Sequence, residues 1–382
     1  MSEPEVGARL LIERKDFPKF LEGIRAAGYQ IVGPTVRDGA IVYGSIRDET
    51  DLPIGWTDAQ EAGRYRIERR NDAAIFGYNV GPHSWKKYLF PSHERLWTAA
   101  RTGTSFDVLP EKEPAAPIAF LGVRACELAA IAIQDKVFGM AGDPSYAGRR
   151  RQTLRIAVQC GQAGATCFCA SMGTGPGVRG NHDLALTELL TPEHHRFLVE
   201  VGSEAGAHVL AKVPTRPAAD SDAKAAGAIV ERAAASMKRS MDTKGIRDLL
   251  VLNPEHPRWE IVAKRCLACT NCTMACPTCF CNTTEEVPAL SGEKVERWRR
   301  WDSCFNSGFS ELHGTPVRKT IQARYRQWLT HKLGTWHDQF GSSGCVGCGR
   351  CITWCPVGID ITEEVAAIRS TPAPARTEGA RA

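Results

Sequence analysis

Two cysteine-rich runs carry the clearest chemical signal in the chain. The first spans Cys266–Pro277 (CLACTNCTMACP), and the second spans Cys345–Pro356 (CVGCGRCITWCP). Both have the spacing C-x2-C-x2-C-x3-C-P, in which three cysteines ligate one [4Fe–4S] cluster and the fourth reaches over to the other cluster. The two runs together therefore predict a pair of [4Fe–4S] clusters.

This spacing also divides the eight cysteines into two ligand sets. A zinc site is the main alternative, but zinc is bound by separated pairs of ligands, and half of the cysteines in each run would then be surplus. Structural disulfides are disfavoured because intracellular thiols are kept reduced. The first set is Cys266, Cys269, Cys272 and Cys355, and the second set is Cys345, Cys348, Cys351 and Cys276.

Four further cysteines follow two predicted strands of an α/β region. The strands span 118–123 and 154–159, and a helix is predicted from Cys126 to Val137. Strand ends at one edge of such a sheet lie close together, and ligands gather there. We therefore predict a third [4Fe–4S] cluster on these thiols, the alternative being that they are small buried apolar residues. This third set is Cys126, Cys160, Cys167 and Cys169.

Three cysteines remain without a predicted ligand role. Cys279, Cys281 and Cys304 are too few to complete a cubane on their own. They could pack beside a cluster, donate S–H groups to its sulfides or exchange into a ligand set. A reactive thiol requires a lowered pKa, of which the sequence alone gives no sign.

Two other motifs receive structural interpretations. Residues 173–180 (GTGPGVRG) contain a nominal G-x-G-x-x-G, but no strand precedes it and no helix follows it, as a dinucleotide site requires. We interpret it as a loop that folds over the third set. The basic aromatic segment 297–301 (RWRRW) is short, and the net charge of the chain is only +5, so nucleic-acid binding is not predicted.

Composition indicates a water-soluble protein. Of its 382 residues, 43% are hydrophobic and 24% are charged, and no apolar run approaches the ~20 residues of a membrane span. The first fourteen residues carry charges throughout and lack the apolar region of a signal peptide. Fifteen cysteines in such a chain point to a reducing compartment, and we expect a cytoplasmic location.

The elements that must position these cysteines suggest an α+β fold. We predict an N-terminal α+β docking module over 1–110, an α/β domain with the third set over 111–253, and a helical ferredoxin-type domain with two clusters over 254–369. A disordered tail is predicted over 370–382.

Four local predictions bear on this division. They are a hairpin of 65–69 with 74–80, a helix from Ser84 to Arg101 that is broken near Pro91, a strand from His208 to Val213, and a helix from Thr320 to Leu333 between the two cysteine runs.

Several motifs match a known family. Gly122–Leu128 (GVRACEL), Cys167–Cys169 (CFC), Cys276–Cys281 (CPTCFC), Arg300–Cys304 (RWDSC) and the run from Cys345 carry the match. The chain resembles the beta (iron–sulfur) subunit of cytoplasmic NAD(P)-linked [NiFe] hydrogenases, the sulfhydrogenases, and the related iron–sulfur subunit of anaerobic sulfite reductase. The resemblance covers about residues 20–368, and all fifteen cysteines fall in matching segments.

The resemblance implies an electron-transfer subunit without a complete active site of its own. Its partners would be a flavin-containing, NAD(P)H-oxidising diaphorase subunit and a catalytic subunit, either a [NiFe] hydrogenase or, in the other branch, a sulfite reductase. A reductase that handles sulfur compounds at Cys279, Cys281 and Cys304, and a zinc-dependent nucleic-acid-binding module, are the alternatives.

Cations beside the cysteine runs should affect any cluster held there. The candidates are Lys264, Arg265 and Arg350, and each is expected to raise the reduction potential of the adjacent cluster.

Overall fold

The computed structural model describes residues 3–111 and 116–371. Residues 112–115, next to the boundary predicted at residue 110, and residues 372–382 of the predicted tail lie outside the described ranges. No helix in the described ranges is long and apolar enough to cross a membrane. The strands are β1 Arg9–Glu13, β2 Gln30–Arg37, β3 Ala40–Ser45, β4 Trp56–Glu61, β5 Arg64–Arg69, β6 His93–Thr102, β7 Ser105–Pro110, β8 Ile118–Val123, β9 Thr153–Val158, β10 Leu184–Leu190, β11 His195–Val201, β12 Arg216–Pro217, β13 Asn282–Pro288, β14 Lys294–Trp301, β15 Glu311–Leu312 and β16 Thr315–Pro316.

Short helices alternate with these strands, and most of the C-terminal helices lie around the cysteine runs. The helices are α1 Phe17–Ala26, α2 Lys86–Leu89, α3 Ala125–Ala141, α4 Pro144–Arg151, α5 Glu204–Leu210, α6 Asp220–Ala235, α7 Ile246–Val251, α8 Arg258–Ala263, α9 Asn271–Met274, α10 Ile321–Thr330, α11 Trp336–Phe340, α12 Arg350–Thr353 and α13 Ile361–Ser370. The predicted α+β class is confirmed by this mixture.

An eight-stranded mixed sheet forms the N-terminal half, in the order β12-β1-β11-β10-β9-β8-β2-β3. Its centre is parallel, because β2, β8, β9 and β10 pair in parallel, and its outer pairs are antiparallel. β8 (IAFLGV) is an almost wholly buried apolar run, as expected for a strand covered on both faces. Since β2 pairs with β8, this sheet crosses the boundary predicted at residue 110, and strands from both predicted N-terminal units form one layer.

A second, four-stranded antiparallel sheet joins distant parts of the chain, in the order β13-β14-β6-β7. β13 and β14 come from the segment between the two cysteine runs. The helix predicted from Thr320 to Leu333 in the same segment is confirmed by α10 and the π-helical turn that continues it. The predicted helix from Ser84 to Arg101 is wrong after α2, because β6 is held between β14 and β7 by hydrogen bonds on both edges. Pro91 separates the short helix from the strand.

Two further local predictions are wrong for identifiable reasons. β5 pairs with β4 rather than with 74–80, because a tight turn at Ala62 and Gly63 (φ +73°) folds the chain back on the preceding strand. The predicted strand from His208 is instead the end of α5, which begins after Ser203, whose side chain accepts a hydrogen bond from the Gly206 N–H.

The C-terminal helices pack into their own apolar core. α7, α8, α10 and α13 bury Leu250, Trp259, Leu329 and Val365 against one another. After α10 the chain continues through a π-helical turn at His331–Thr335 into α11. Cysteines of both runs pack against this core.

Candidate metal centre

The two cysteine loops have the same backbone conformation at matching positions. Two and four residues after the first cysteine, Ala268 (φ +51°) and Thr270 (φ +69°) lie in the left-handed region, and so do Gly347 (φ +63°) and Gly349 (φ +76°). Each loop then enters a one-turn helix, α9 or α12. The repeated turn wraps each loop around a centre that its own thiols face.

Backbone N–H groups point at the cysteine sulfurs. The Ala268 N–H donates to Cys266 Sγ (3.4 Å), and at the matching position the Gly347 N–H donates to Cys345 Sγ (3.4 Å). The Ile359 N–H donates to Cys355 Sγ (3.3 Å). Hydrogen bonds of this kind stabilise sulfur as a thiolate, the form that ligates iron.

The four cysteines of the first set line one apolar cavity, here called the first cavity. Phe305, Tyr325 and Trp328 form part of its wall, and Cys269 opens to solvent on one side. The lining contains no carboxylate, so the available donors are thiols, which suit iron–sulfur chemistry.

The second set lines a smaller neighbouring cavity, the second cavity. Its cysteine loop is pressed against residues 166–169: a Cβ at Gly347 would lie 2.7 Å from Cys169 Cα, and one at Gly349 would lie 2.4 Å from the Thr166 carbonyl oxygen. Glycine is therefore required at both positions for space as well as for backbone conformation. Cys351 lines both cavities, so the two sites are adjacent.

A lysine that the sequence analysis missed lies inside the second cavity. The Lys332 ammonium donates to Cys276 Sγ (3.4 Å), Thr278 Oγ1 (3.1 Å) and the Gly344 carbonyl oxygen (3.3 Å), and the residue is 3% exposed. Burial alone would lower its pKa, but the thiols of Cys276, Cys279 and Cys345 raise the pKa well above the ordinary value. Within residues 3–111 and 116–371, no carboxylate forms an ion pair with it. Its natural counter-charge is the anionic sulfur of the cavity.

The three cations named from the sequence have carboxylate partners. Lys264 pairs with Glu260 (3.0 Å) and Arg265 with Glu364 (2.6 Å). Arg350 pairs with Glu127 at 2.6 Å, and both side chains are fully buried. Much of each positive charge is therefore compensated, which weakens the expected effect on the reduction potentials.

Glu127 ties the second cysteine loop to the N-terminal sheet. Besides Arg350, it accepts hydrogen bonds from Tyr43 Oη (2.6 Å) and Trp85 Nε1 (3.1 Å). Arg350 also donates to the backbone carbonyls of Gly81 and His83. This network fixes α12 against α3, which carries Cys126 in its first turn.

The cysteines of the third set lie near one another at one edge of the large sheet. Cys126 follows β8, and Cys160 comes two residues after the parallel neighbour β9. Burial raises the pKa of Cys167 to about 12, and the charge of the nearby Cys160 contributes to the increase. Burial likewise raises the pKa of Cys126, with a contribution from the charge of Cys169. Cys348 contributes to the same shifts, so the third set adjoins the second cavity.

Glycines bring the backbone close to this third set. A Cβ at Gly164 would lie 3.2 Å from Cys167 Sγ, and one at Gly175, in the glycine-rich loop, would lie 3.0 Å from Cys169 Sγ. The loop follows no strand and opens no helix, unlike a dinucleotide fingerprint. Ligation of a metal group by the first, second and third sets remains a prediction.

The three remaining cysteines lie beside the second cavity. The neighbouring Cys279 thiol lowers the pKa of Cys276, and the neighbouring Cys304 thiol lowers the pKa of Cys281. A second buried lysine, Lys86, donates to the Cys279 carbonyl oxygen (3.2 Å). In the described ranges, no group of three or more His, Cys, Asp or Glu residues is arranged to hold a metal ion.

The helical phase of α10 could have revealed Lys332. Tyr325, Trp328, Leu329 and Trp336 are buried at spacings of three and four residues, and Lys332 falls on the same face. A lysine in the middle of an apolar helical stripe indicates a buried anion. Lys86 gives no comparable signal, because α2 is a single turn.

Comparisons with known proteins agree with the cysteine pattern. Residues 265–359 match the family model described as a 4Fe-4S dicluster domain. Over 243 residues the chain is 32% identical to sulfhydrogenase 2 subunit beta of Pyrococcus furiosus, an alignment that covers 63% of this chain and 70% of that protein. No solved structure matches the chain.

Proposed function

Because the chain belongs to the family of sulfhydrogenase beta subunits, we propose that it relays electrons between a flavin- and NAD(P)H-binding subunit and a catalytic partner, a cytoplasmic [NiFe] hydrogenase. The carrying observation is the pair of adjacent cavities, each lined by one complete set of four cysteines. A third four-cysteine group lies next to Cys348 of the second set. Three neighbouring sites of this kind make a path for electrons through one subunit.

The chain's residues would give the two ends of this path different surroundings. When bound, a [4Fe–4S] cluster accepts and returns one electron. At the first cavity, Cys269 is exposed and Leu267 is 62% exposed, so this loop is the natural surface for exchange with a partner. At the second cavity, Lys332 compensates negative charge and the backbone of residues 166–169 packs closely against the cysteine loop.

The identity of the catalytic partner rests on the relative. That protein is named as a sulfhydrogenase subunit, which favours the hydrogenase branch over the sulfite reductase branch for this chain as well. The two branches can be separated by reconstitution. We expect hydrogen-dependent reduction of NAD(P)⁺ when the chain is added to the hydrogenase and diaphorase subunits, and sulfite-dependent oxidation of NAD(P)H if the other branch is correct.

Iron and sulfide analysis of the anaerobically purified chain tests the relay itself, with EPR after dithionite reduction. About twelve iron atoms per chain are expected if all three sets hold cubanes. About eight would leave the third set as structural cysteines. Zinc without iron would overturn the proposed function, and turnover of a sulfur compound by the chain alone would favour a reductase with its own active site.

A further inference from the structure

The first cavity is the part of the cysteine region that opens to the surface. All fifteen cysteines lie within the described ranges, and only Cys269 among them is exposed. Leu267 is 62% exposed, Pro356 is exposed too, and both line the first cavity together with Cys269. These three residues form a small apolar surface, here called the Leu267 face. Of the three predicted cluster sites, the one beneath this face is the most accessible to another protein.

A loop with several cations leaves the wall of the first cavity and returns to it. Phe305 and Tyr325 both line the cavity, and the centres of their rings are 6.2 Å apart. Between them in sequence lie Arg318, Lys319 and Arg324. The Arg324 guanidinium donates to the carbonyl oxygens of Arg318 (3.3 Å) and Lys319 (3.5 Å), so the loop is held close to the start of α10. Because α10 supplies part of the cavity wall, these positive charges lie beside the cavity.

These three cations have no carboxylate partners. In the parts of the chain that the structure describes, no ion pair involves Arg318, Lys319 or Arg324. The charge of Arg324 also reaches the cavity, because burial raises the pKa of Cys266 and Arg324 opposes that increase. Acidic side chains of another protein would therefore meet cations whose charge is not yet compensated.

The segment before the first cysteine run adds to this positive charge. Arg258 and Arg265 both pair with Glu364, whose side chain is fully buried, so two guanidinium groups share one carboxylate. The exposed carboxylates within residues 258–272, 305–328 and 351–364 are Glu260, which pairs with Lys264, Glu311 and Glu363. The cations of the same ranges outnumber them, so the Leu267 face lies in a field of net positive charge.

We propose that the Leu267 face docks an electron-exchanging partner protein whose contact surface is an apolar centre surrounded by Asp and Glu side chains. The two apolar centres exclude water from each other, and the cations around the Leu267 face pair with the partner's carboxylates. Complementary charge of this kind speeds the encounter and fixes the orientation of the two proteins. One electron crosses the face, so that one protein is oxidised as the other is reduced. The inference rests on the proposed relay, for which it names the chemistry of one partner.

Electron transfer from the full chain to small proteins of opposite charge tests the face. The chain is reduced with dithionite, desalted anaerobically and mixed with an acidic rubredoxin or a basic cytochrome c, each of which accepts one electron. Stopped-flow absorbance gives the second-order rate constants. Between ~10 mM and ~150 mM salt the Debye length falls from about 30 Å to about 8 Å, and the rate constant with rubredoxin should fall about tenfold. The rate constant with cytochrome c should rise over the same range.

A pair of charge reversals locates the effect. Arg318→Glu combined with Lys319→Glu should lower the rate constant with rubredoxin about tenfold at low salt and remove most of its dependence on salt. The control is Lys212→Glu combined with Lys224→Glu, which changes the net charge equally at exposed lysines after α5 and on α6, beside the large sheet. It should stay within about twofold of the wild type. Fluorescence anisotropy with zinc-substituted rubredoxin, which accepts no electron, should show the same loss as weaker binding.

The outcomes separate the docking face from the relay. Equal losses in the two double variants overturn the proposal, and so does a wild-type rate constant with rubredoxin that does not fall with salt. If the charge reversal lowers the iron content, Arg318→Gln combined with Lys319→Gln replaces it and should give about half the change in the logarithm of the rate constant; no change would overturn the proposal. A wild-type chain that contains no iron or reduces neither acceptor refutes the relay instead, whereas salt-sensitive binding of zinc-substituted rubredoxin still supports the face.

Discussion

Replacing Lys332 by Met should lower the reduction potential of the group bound in the second cavity. The ammonium lies 3.4 Å from Cys276 Sγ, and at an effective dielectric constant of about 20 a unit charge at that distance is worth roughly 5 kcal/mol. The charge gained on reduction is spread over the cluster, at roughly twice that distance from the ammonium. The interaction between the ammonium and this added charge is therefore worth about 2 kcal/mol. For a one-electron couple this corresponds to a decrease of about 90 mV.

EPR-monitored redox titration of the wild type and the variant measures this shift. Lys264→Met is a matched control, because Lys264 also lies near a cysteine run but its side chain is 72% exposed and paired with Glu260. We expect the control to move the potential by less than about 20 mV, since exposed charges are screened. Lys332→Arg retains the charge and should remain close to the wild type.

The reasoning would be refuted by a Lys332→Met protein that keeps its iron and shifts no further than the Lys264→Met control. A shift confined to the group in the first cavity would also refute the reasoning, because Lys332 contacts the second set and not the first. If Lys332→Met loses iron, the comparison of Lys332→Gln and Lys332→Arg still separates charge from packing.

Three further predictions concern the same loops. Cys348→Ser should remove about four iron atoms per chain and abolish electron transfer to the partner, while the far-ultraviolet circular dichroism spectrum stays unchanged. A variant with the wild-type iron content and the wild-type rate of electron transfer would contradict the ligand assignment. Thr270→Gly should stabilise the protein by about 1 kcal/mol, because glycine adopts the left-handed conformation of this residue without strain. Gly349→Ala should instead destabilise it by at least roughly 2 kcal/mol, because an added Cβ has no space there. Thermal bleaching of cluster absorbance gives the unfolding midpoint of each variant, and equal midpoints would contradict the packing argument. Glu127→Ala should lower the free energy of unfolding by about 3–5 kcal/mol, because it leaves Arg350 buried without a counter-ion. Glu127→Gln should lower it by less. A thermal midpoint of Glu127→Ala that equals the wild-type midpoint would refute this prediction.

The sequence was most informative where the determining contacts are local. The strand at 118–123 and the helix that follows it were predicted because an apolar run and a helical pattern are properties of consecutive residues. The cysteine spacing likewise predicted which thiols would share a cavity, since the loops repeat the same turn. Whether those thiols ligate clusters is still a prediction.

Features that depend on distant pairing could not be predicted in this way. β6 is a strand because β14, about two hundred residues later, covers one of its edges, and its own residues also suit a helix. Compensation of Arg350 by Glu127 and the proximity of Lys86 to Cys279 likewise require the tertiary fold. The pairing of β2 with β8, which joins strands on either side of the boundary predicted at residue 110, likewise cannot be read from local pattern.

The sharing of Cys266 and Cys355 by one cavity has a consequence for biosynthesis. When the ribosome has translated the first cysteine run, neither the first nor the second predicted ligand set is complete. The second set is completed only at Cys351 and the first only at Cys355. At that stage β6 also lacks its partner β14. If the two sets ligate clusters as predicted, iron insertion at these two sites must follow synthesis of nearly the whole chain, and the thiols of the first run stay unligated until then. Scaffold proteins that deliver clusters would therefore act only after both cysteine runs have been synthesised.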